Sequence, residues 1–148
     1  MRQLIIVRKD LNMSAGKIAA QCCHASMSFI SRNLSIASEE TLLADSEDIN
    51  LSFRTRYNIW QDWFQGIFTK TICEAKNRNQ LMKAVTIAEE LGLKENKDFF
   101  LIKDSCLTEL TPEEYDEEGI GRTLTCIGFV PLEDEVAHKI SKKFQLLK

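Results

Sequence analysis

Short apolar runs alternate with helical patterns along this 148-residue chain, and that alternation constrains the fold more than any other feature. Apolar residues in short runs are typical of strands, whereas apolar residues spaced three and four apart are typical of helices. The predicted strands are 3–7, 67–73, 98–103 and 123–130, and the predicted helices are 16–32, 54–65, 77–91 and 132–144. This order predicts an α/β fold, a three-layer sandwich with helices on both faces of a central four-stranded mixed sheet.

Local signals set the expected ends of several elements. Ser14 can cap the first helix, and Pro131 is expected to be the first residue of the last helix. Residues 33–53 are rich in Ser, Glu and Asp and lack a firm period, so we expect a loop or a weakly ordered helix there. The second helix carries three aromatic residues whose helical spacing favours core packing over an interface. They are Trp60, Trp63 and Phe64.

Length and composition exclude several classes of protein. A chain of this length is expected to form one domain. No apolar run approaches the roughly 18 residues of a membrane span. The first ten residues lack the apolar core of an export signal, so we expect a cytoplasmic protein that does not insert into a membrane. Five cysteines are an odd number, which predicts reduced thiols, and two histidines are too few to suggest a zinc site.

The net charge of −3 hides a strong pattern along the chain. Residues 1–32 and 54–84 each carry +4, and residues 119–148 carry +2. The acidic charge lies in two blocks, with −5 over 33–53 and −8 over 85–118. A basic framework of this kind permits a polyanionic partner but does not require one.

The first helix carries a polar stripe on an otherwise apolar surface. Its members lie 4, 7 and 11 residues after the first, which places them on one side of the helix. They are Lys17, Gln21, His24 and Ser28. A mostly buried helix with one such stripe is expected to line a cleft, and its N-terminus together with Lys17 would favour an anion. The alternative interpretation is that Lys17 is solvated and His24 is hydrogen-bonded in the core.

A candidate acidic residue ends the third predicted strand. Asp104 closes an otherwise apolar run, and Thr108 follows four residues later. The carboxyl ends of strands are where α/β sheets build their sites. An aspartate that opens a turn is the alternative interpretation, and such turns are common.

Three stretches carry specific motifs. The first is VRKDLNMSAGKIAAQCCHA over 7–25, which fits the pattern VRxDLxMxxGKxAAQxxHA. The second combines Trp63, Gly66 and Lys70 with a later LGL helix end, and the third is KDSCLTEL over 103–110, which is similar to RDAGxTQ plus a hydrophobic residue. With the closing CIGFVP, which is similar to IGPxP, they resemble the type 2 peptidyl-tRNA hydrolases of archaea and eukaryotes.

The resemblance implies a function and an organisation. It implies a single type 2 peptidyl-tRNA hydrolase-like domain over 1–148, with insertions near 33–53 and 111–121. Members of that family are α/β sandwiches, usually homodimers, that cleave the ester between a peptide and tRNA and so recycle the tRNA. The implied partner is peptidyl-tRNA, and no metal or other cofactor is implied.

The resemblance also implies roles for individual residues. Catalytic roles fall on Lys17, His24, Asp104 and Thr108, and substrate-binding roles fall on Arg8, Asp10 and Gln21. Ester hydrolysis needs a positioned water and a stabilised oxyanion. Asp104 with Thr108 would orient or deprotonate the water, and Lys17 would stabilise developing negative charge or hold a phosphate. His24 would assist proton transfer or orient a neighbouring group.

Three departures from the family pattern leave alternatives open. Cys106 stands where the family has glycine, which predicts an altered backbone if that position needs a positive φ. Glu109 replaces glutamine, and the acidic loop 111–121 is expected to repel phosphate over about 8 Å. A diverged, catalytically weak relative that acts as a protein- or RNA-binding module is therefore an alternative. A hydrolase of another acyl ester or amide is a third.

Overall fold

The computed structural model describes residues 1–36 and 49–148, which form the following elements. The strands are β1 (Arg2–Arg8), β2 (Leu34–Ile36), β3 (Leu51–Phe53), β4 (Lys70–Ala75), β5 (Phe99–Asp104), β6 (Glu114–Tyr115), β7 (Gly121–Leu132) and β8 (Gln145–Leu146). The helices are α1 (Ala15–Ser31), the short π-helix α2 (Ile59–Phe64), α3 (Arg78–Glu90) and α4 (Asp134–Ser141). Within the described residues, no helix is both long and apolar enough to cross a membrane.

The central sheet is mixed, as the sequence predicts. Its strand order is β5-β7-β1-β4-β8, and β6 pairs with β7 at one end. Strands β1 and β4 are parallel, whereas β7 runs antiparallel to both β1 and β5. The antiparallel pairing of β5 with β7 and the parallel pairing of β1 with β4 together make the sheet mixed. The four predicted strands lie next to one another in this sheet, in the order β5-β7-β1-β4.

Helices cover both faces of the sheet and make a three-layer sandwich. Helix α1 packs on β5 and β7, and helices α3 and α4 pack on β1. Gly128 of β7 lies against the backbone of Ala25 in α1, and a Cβ at this position would overlap that backbone. The glycine therefore allows α1 to approach the middle of the sheet closely. This close approach positions the polar side chains of the first turns of α1.

The predicted strand count of four is wrong, because the sheet has six strands. The two additional strands, β6 and β8, contain two residues each. Elements of that length have no hydrophobic period that a sequence pattern can reveal. Long-range pairing creates them: β6 pairs with the start of β7, and β8 pairs with β4.

The region between α1 and β4 also differs from expectation. Residues 34–36 and 51–53 form a two-stranded antiparallel sheet rather than a loop or weak helix. The rest of that prediction, over 37–48, lies outside the described residues. The predicted helix over 54–65 is reduced to the six residues of α2 and the residues just before it. Trp63 is buried and Phe64 is half-buried as predicted, but Trp60 is half exposed.

Pro131 does not begin the last helix. It lies in β7 opposite Gln3 of β1, and α4 begins three residues later at Asp134. The β1–β7 register shifts between Gln3 and Ile5. Since proline has no N–H, it is tolerated at an irregularity of this kind. His138, on α4, is exposed.

Candidate functional site

The candidate site lies where the N-terminus of α1 meets the carboxyl end of β5. Ser14 caps α1, as predicted, and its hydroxyl accepts a hydrogen bond from the Lys17 N–H at 3.2 Å. Lys17 and Gln21 are one turn apart on α1, so both side chains reach the same side of the helix. Asp104 is the last residue of β5, and Thr108 follows in the next turn. The structure thus brings four of the predicted residues together.

The Asp104 carboxylate is the centre of this cluster. Its Oδ2 lies 2.8 Å from Lys17 Nζ and accepts a hydrogen bond from Gln21 Nε2 at 2.9 Å. Its Oδ1 accepts from the backbone N–H of Cys106 at 2.9 Å. Lys17 Nζ also donates to Thr108 Oγ1 at 3.1 Å. The side chains of Lys17 and Asp104 are 14% and 9% exposed, so the pair is largely shielded but still reaches the surface.

This environment determines the charge of Asp104. Burial favours the neutral acid, but hydrogen bonds from Lys17, Cys106 and Gln21 outweigh it and hold the pKa of Asp104 below its ordinary value. The carboxylate is therefore ionised at neutral pH. A base with so low a pKa removes protons from water poorly, whereas it still accepts hydrogen bonds well. The arrangement is suited to holding a water molecule and a lysine in place.

Gln21 is buried behind the cluster. Its side chain is almost fully enclosed, and its Oε1 accepts a hydrogen bond from Thr125 Oγ1 at 2.6 Å. Thr125 lies on β7 and is fully buried. In the sequence, Thr125 is simply a β-branched residue in a predicted strand, so no local signal marks it. The structure adds it to the site through this hydrogen bond.

Glu109 lies at the N-terminus of α1. Its carboxylate accepts hydrogen bonds from Ser14 N at 2.9 Å and from Ser14 Oγ at 2.5 Å. The hydrogen bond from the Ser14 hydroxyl lowers the pKa of Glu109, and the positive charge of Lys17 adds to this effect. The negative charge expected beside the site is therefore present, and it is held at the helix end where an incoming anion would otherwise bind.

Cys106, which stands where the family pattern has glycine, has a left-handed backbone. Cys106 has a φ of +56°, a conformation that glycine adopts readily and other residues adopt at a cost. This position therefore takes a positive φ although it carries a side chain. The turn still directs the Cys106 N–H at Asp104. The Cys106 thiol donates to Thr123 Oγ1 at 3.3 Å.

Arg8 and Asp10 form a separate ionic group. Arg8 is only 4% exposed, and each of its five N–H groups donates to a protein acceptor. Asp10 and Glu113 each hold it through two hydrogen bonds, and the carbonyl of Leu124 accepts the fifth. Burial opposes the charge, but these carboxylates outweigh it and raise the pKa of Arg8. The guanidinium is fully engaged inside the protein.

The acidic loop is less repulsive to phosphate than its sequence suggests, because several of its acids are paired with basic residues. Glu113 binds Arg8 and also Arg78, at 3.1 Å from the latter. Glu114 forms ion pairs with Lys103 and Arg78. Asp116 pairs with Arg122 at 2.8 Å. Much of the loop's charge is therefore neutralised within the molecule.

Only some side chains of the predicted polar stripe on α1 are buried. Each residue advances about 100° around a helix, so the stripe spans a narrow sector. That sector lies at the edge of the buried face: Gln21 and Ser28 are buried, whereas His24 is exposed. His24 has no hydrogen bond to the cluster within the described residues. Nor is α1 mostly buried, since Ala19, Ala20 and Cys23 are exposed.

Fold and site together define a small α/β protein with a shielded lysine–aspartate pair beside a helix N-terminus. The chain belongs to the peptidyl-tRNA hydrolase PTH2 family, whose model matches residues 1–147. This confirms the resemblance found in the sequence.

Similar proteins come from archaea and carry the name peptidyl-tRNA hydrolase. The protein from Methanothermobacter thermautotrophicus is 29% identical over 147 residues, which cover 99% of this chain and 100% of the relative. The protein from Methanopyrus kandleri is 28% identical over 148 residues, covering 99% and 98%. The protein from Thermoplasma acidophilum is 26% identical over 146 residues, covering 99% and 97%. The similarity therefore extends along the chain and is not confined to the site motifs.

Proposed function

We propose that this protein hydrolyses the ester bond between the peptide and the tRNA of peptidyl-tRNA, using the cluster around Asp104. The observation that carries the proposal is the contact of Lys17 with both Asp104 and Thr108 at the N-terminus of α1. This contact occurs in a chain that the PTH2 model matches almost from end to end.

The hydrogen-bond capacity of the cluster supports this chemistry. Asp104 Oδ1 accepts one described hydrogen bond, from Cys106, and a carboxylate oxygen can accept a second one from water. A lysine ammonium has three N–H groups. Lys17 directs two of them at Asp104 and Thr108, which leaves a third without a partner among the described residues. That N–H can stabilise the oxyanion that forms when water attacks the ester carbonyl.

The reaction is then a single water addition followed by loss of the tRNA hydroxyl. The water held by Asp104 forms a bond to the carbonyl carbon while Lys17 stabilises the negative oxygen. The bond to the 3′ ribose oxygen breaks, and a proton originating from the water ends on that oxygen. Thr108 accepts from Lys17, so its own hydroxyl hydrogen can orient the water or the oxyanion. His24, exposed on the same helix, is proposed to assist proton transfer from the solvent side.

Arg8 and Asp10 are proposed to act without direct contact with tRNA. Since all five N–H groups of Arg8 are engaged, its role is to hold Asp10 and Glu113. Exposed lysines and arginines would then supply the phosphate contacts, largely without reading bases.

We also propose that the protein is cytoplasmic and that it forms a homodimer, as the family resemblance implies for the dimer. Exposed small and apolar side chains on α1 support such an interface. They are Ala19, Ala20, Cys23 and Met27. Light scattering of the purified protein measures its mass in solution and so tests the dimer.

Release of peptide from purified peptidyl-tRNA, measured in the presence of a chelator, tests the proposed function. Wild-type protein is expected to turn over the substrate without added metal. Lys17→Ala and Asp104→Asn are each expected to lower kcat by about 10²–10³-fold, the range found when one group that stabilises an oxyanion is removed. Lys139→Ala, an exposed lysine on α4, is the matched control. Full activity in both site variants would contradict the proposed mechanism.

A further inference from the structure

A buried side chain, Gln21, connects the Asp104 carboxylate to the interior of the protein. One end of its amide donates to Asp104 Oδ2, and the other end accepts from Thr125 Oγ1. A glutamine amide can rotate by 180°, which exchanges a donor for an acceptor at each end. In the rotated state Oε1 would face the negative carboxylate, so correct orientation matters to the cluster.

We propose that Thr125 is a positioning residue for hydrolysis: its hydroxyl fixes the Gln21 amide so that Nε2 holds Asp104 in line with Lys17. Because Thr125 is fully buried on β7, it does not touch substrate. Its proposed route to the site is the Gln21 amide. The inference rests on the proposed function, because it gives Asp104 and Lys17 their roles in the reaction.

The surroundings make this connection rigid. Thr125 lies on β7, which pairs with both β5 and β1, and neither Thr125 nor Gln21 has room to move into solvent. The next residue, Cys126, donates its thiol to the backbone carbonyl of Gln21 at 3.5 Å, which holds the same turn of α1 against the strand. The Thr125 hydroxyl is also 3.1 Å from the carbonyl of Ile102, two residues before Asp104. The hydroxyl has a single hydrogen, and the shorter of its two contacts, at 2.6 Å, is the one to Gln21 Oε1.

The molecule contains a matched pair away from the site. Gln3 is also fully buried, and the Ser26 hydroxyl donates to its Oε1 at 2.8 Å. Its Nε2 donates to the backbone carbonyls of Ser26 and Phe129 rather than to a carboxylate. Removing the Ser26 hydroxyl therefore disturbs an equally buried glutamine that has no contact with Asp104.

The experiment compares Thr125→Val, Thr125→Ser and Ser26→Ala with wild type. Thr125→Val keeps the shape of the side chain but leaves Gln21 Oε1 without this donor. Loss of one such hydrogen bond is expected to lower kcat about five- to tenfold, with KM within about twofold of wild type. Thr125→Ser restores the hydroxyl and is expected to recover most of kcat. Ser26→Ala is expected to leave both constants unchanged.

A double-mutant cycle tests the route through Gln21. If Thr125 acts only through Gln21, adding Thr125→Val to Gln21→Ala should cause no further loss of kcat. A multiplicative loss in the double variant would overturn the inference, as would a Thr125→Val enzyme with wild-type kcat. If Thr125→Val does not fold, Thr125→Ala, which also removes the hydroxyl, replaces it in the cycle and in the Asp104 measurement below, with the same expected and contradicting outcomes.

A second measurement does not depend on hydrolysis. An NMR titration of the Asp104 carboxyl carbon reports the hydrogen bonds that this carboxylate receives. Thr125→Val is expected to raise the pKa of Asp104 towards its ordinary value, and Ser26→Ala is expected to leave it unchanged. An inactive wild-type protein would contradict the proposed function. An Asp104 titration that is identical in wild type, Thr125→Val and Thr125→Ser would overturn this inference alone.

Discussion

The two ends of helix α1 serve different purposes. The first turns carry Lys17 and Gln21, which form hydrogen bonds to Asp104 across the edge of the sheet. The last turns carry Phe29. The centroid of its ring lies 6.1 Å from that of Trp63 and 5.8 Å from that of Phe53. One end of the helix is therefore held by directional polar contacts and the other by aromatic packing.

This difference follows from the chemistry of a helix terminus. The first N–H groups of a helix lack intrahelical partners and favour negative charge, so the N-terminal end suits carboxylates and reacting anions. Aromatic burial has no such directional demand and stabilises through the apolar area it removes from water. Stability and activity are therefore expected to be separable along this one helix. Variants at the aromatic end should lose stability, and variants at the polar end should lose activity.

The largest expected effect in this comparison is that of Trp63→Ala. Trp63 is almost fully buried, its ring contacts Phe29, Phe64 and Phe68, and its Nε1 donates to the carbonyl of Thr69 at 2.9 Å. Removal of such a side chain lowers the free energy of unfolding by about 3–5 kcal/mol. Denaturant unfolding measures the loss, and kcat per folded molecule should stay near wild type at low temperature.

Trp63→Phe sharpens this test, because it keeps an aromatic ring and removes the indole N–H. It should retain more than half of the stability that Trp63→Ala loses. A tenfold fall in kcat for Trp63→Phe, in fully folded protein, would show that the two ends of α1 are coupled.

A smaller effect is expected at the polar end for Glu109→Gln. This change removes a negative charge beside Lys17, while the amide oxygen can still accept from the Ser14 N–H. We expect KM for peptidyl-tRNA to fall about two- to fivefold at low salt, with kcat unchanged, because phosphate binding is sensitive to nearby charge. The gain should shrink as salt screens the interaction.

Glu95→Gln provides the control for Glu109→Gln, since it removes the same charge from an exposed residue before β5. Equal changes of KM in the two variants would mean that net charge matters and the position beside Lys17 does not.

The smallest expected effect is that of Cys106→Gly. The glycine relieves a positive φ, which costs other residues roughly 1–2 kcal/mol. The substitution also loses the thiol contact to Thr123 and increases the freedom of the unfolded chain. These two destabilising effects nearly cancel the gain from relieving the positive φ. Thermal unfolding should give a change in stability within about 1 kcal/mol, with kcat retained. Cys106→Val should be clearly less stable, because a β-branched residue tolerates a positive φ poorly.

Sequence periodicity predicted the centre of the fold well and its margins poorly. The four predicted strands correspond to β1, β4, β5 and β7, and burial on both faces explains the continuous apolar signal of β1 and β7. The strands β6 and β8 are too short to carry such a signal. Pro131 was misassigned because the rule that places proline in a first helical turn is local, whereas a register shift between β1 and β7 allows it in a strand.

The candidate site was predictable to the extent that motifs mark it. Lys17, Gln21, Asp104 and Thr108 lie together as expected. The helical period placed His24 on the same stripe but did not reveal that the stripe straddles the edge of the buried face. Periodicity gives the angle between residues on a helix, and it does not say how deeply the sheet covers each of them.

By itself, the sequence determined the alternation of strands and helices, the cap of α1 and the motifs that place the chain in its family. These are local properties, since periodicity, capping and motif spacing depend on neighbouring residues. Only the tertiary structure decided that Thr125 meets Gln21, 104 residues away, and that Glu113 engages Arg8, 105 residues away. Such contacts depend on strand order and register, which bring distant residues together without leaving a pattern in either segment.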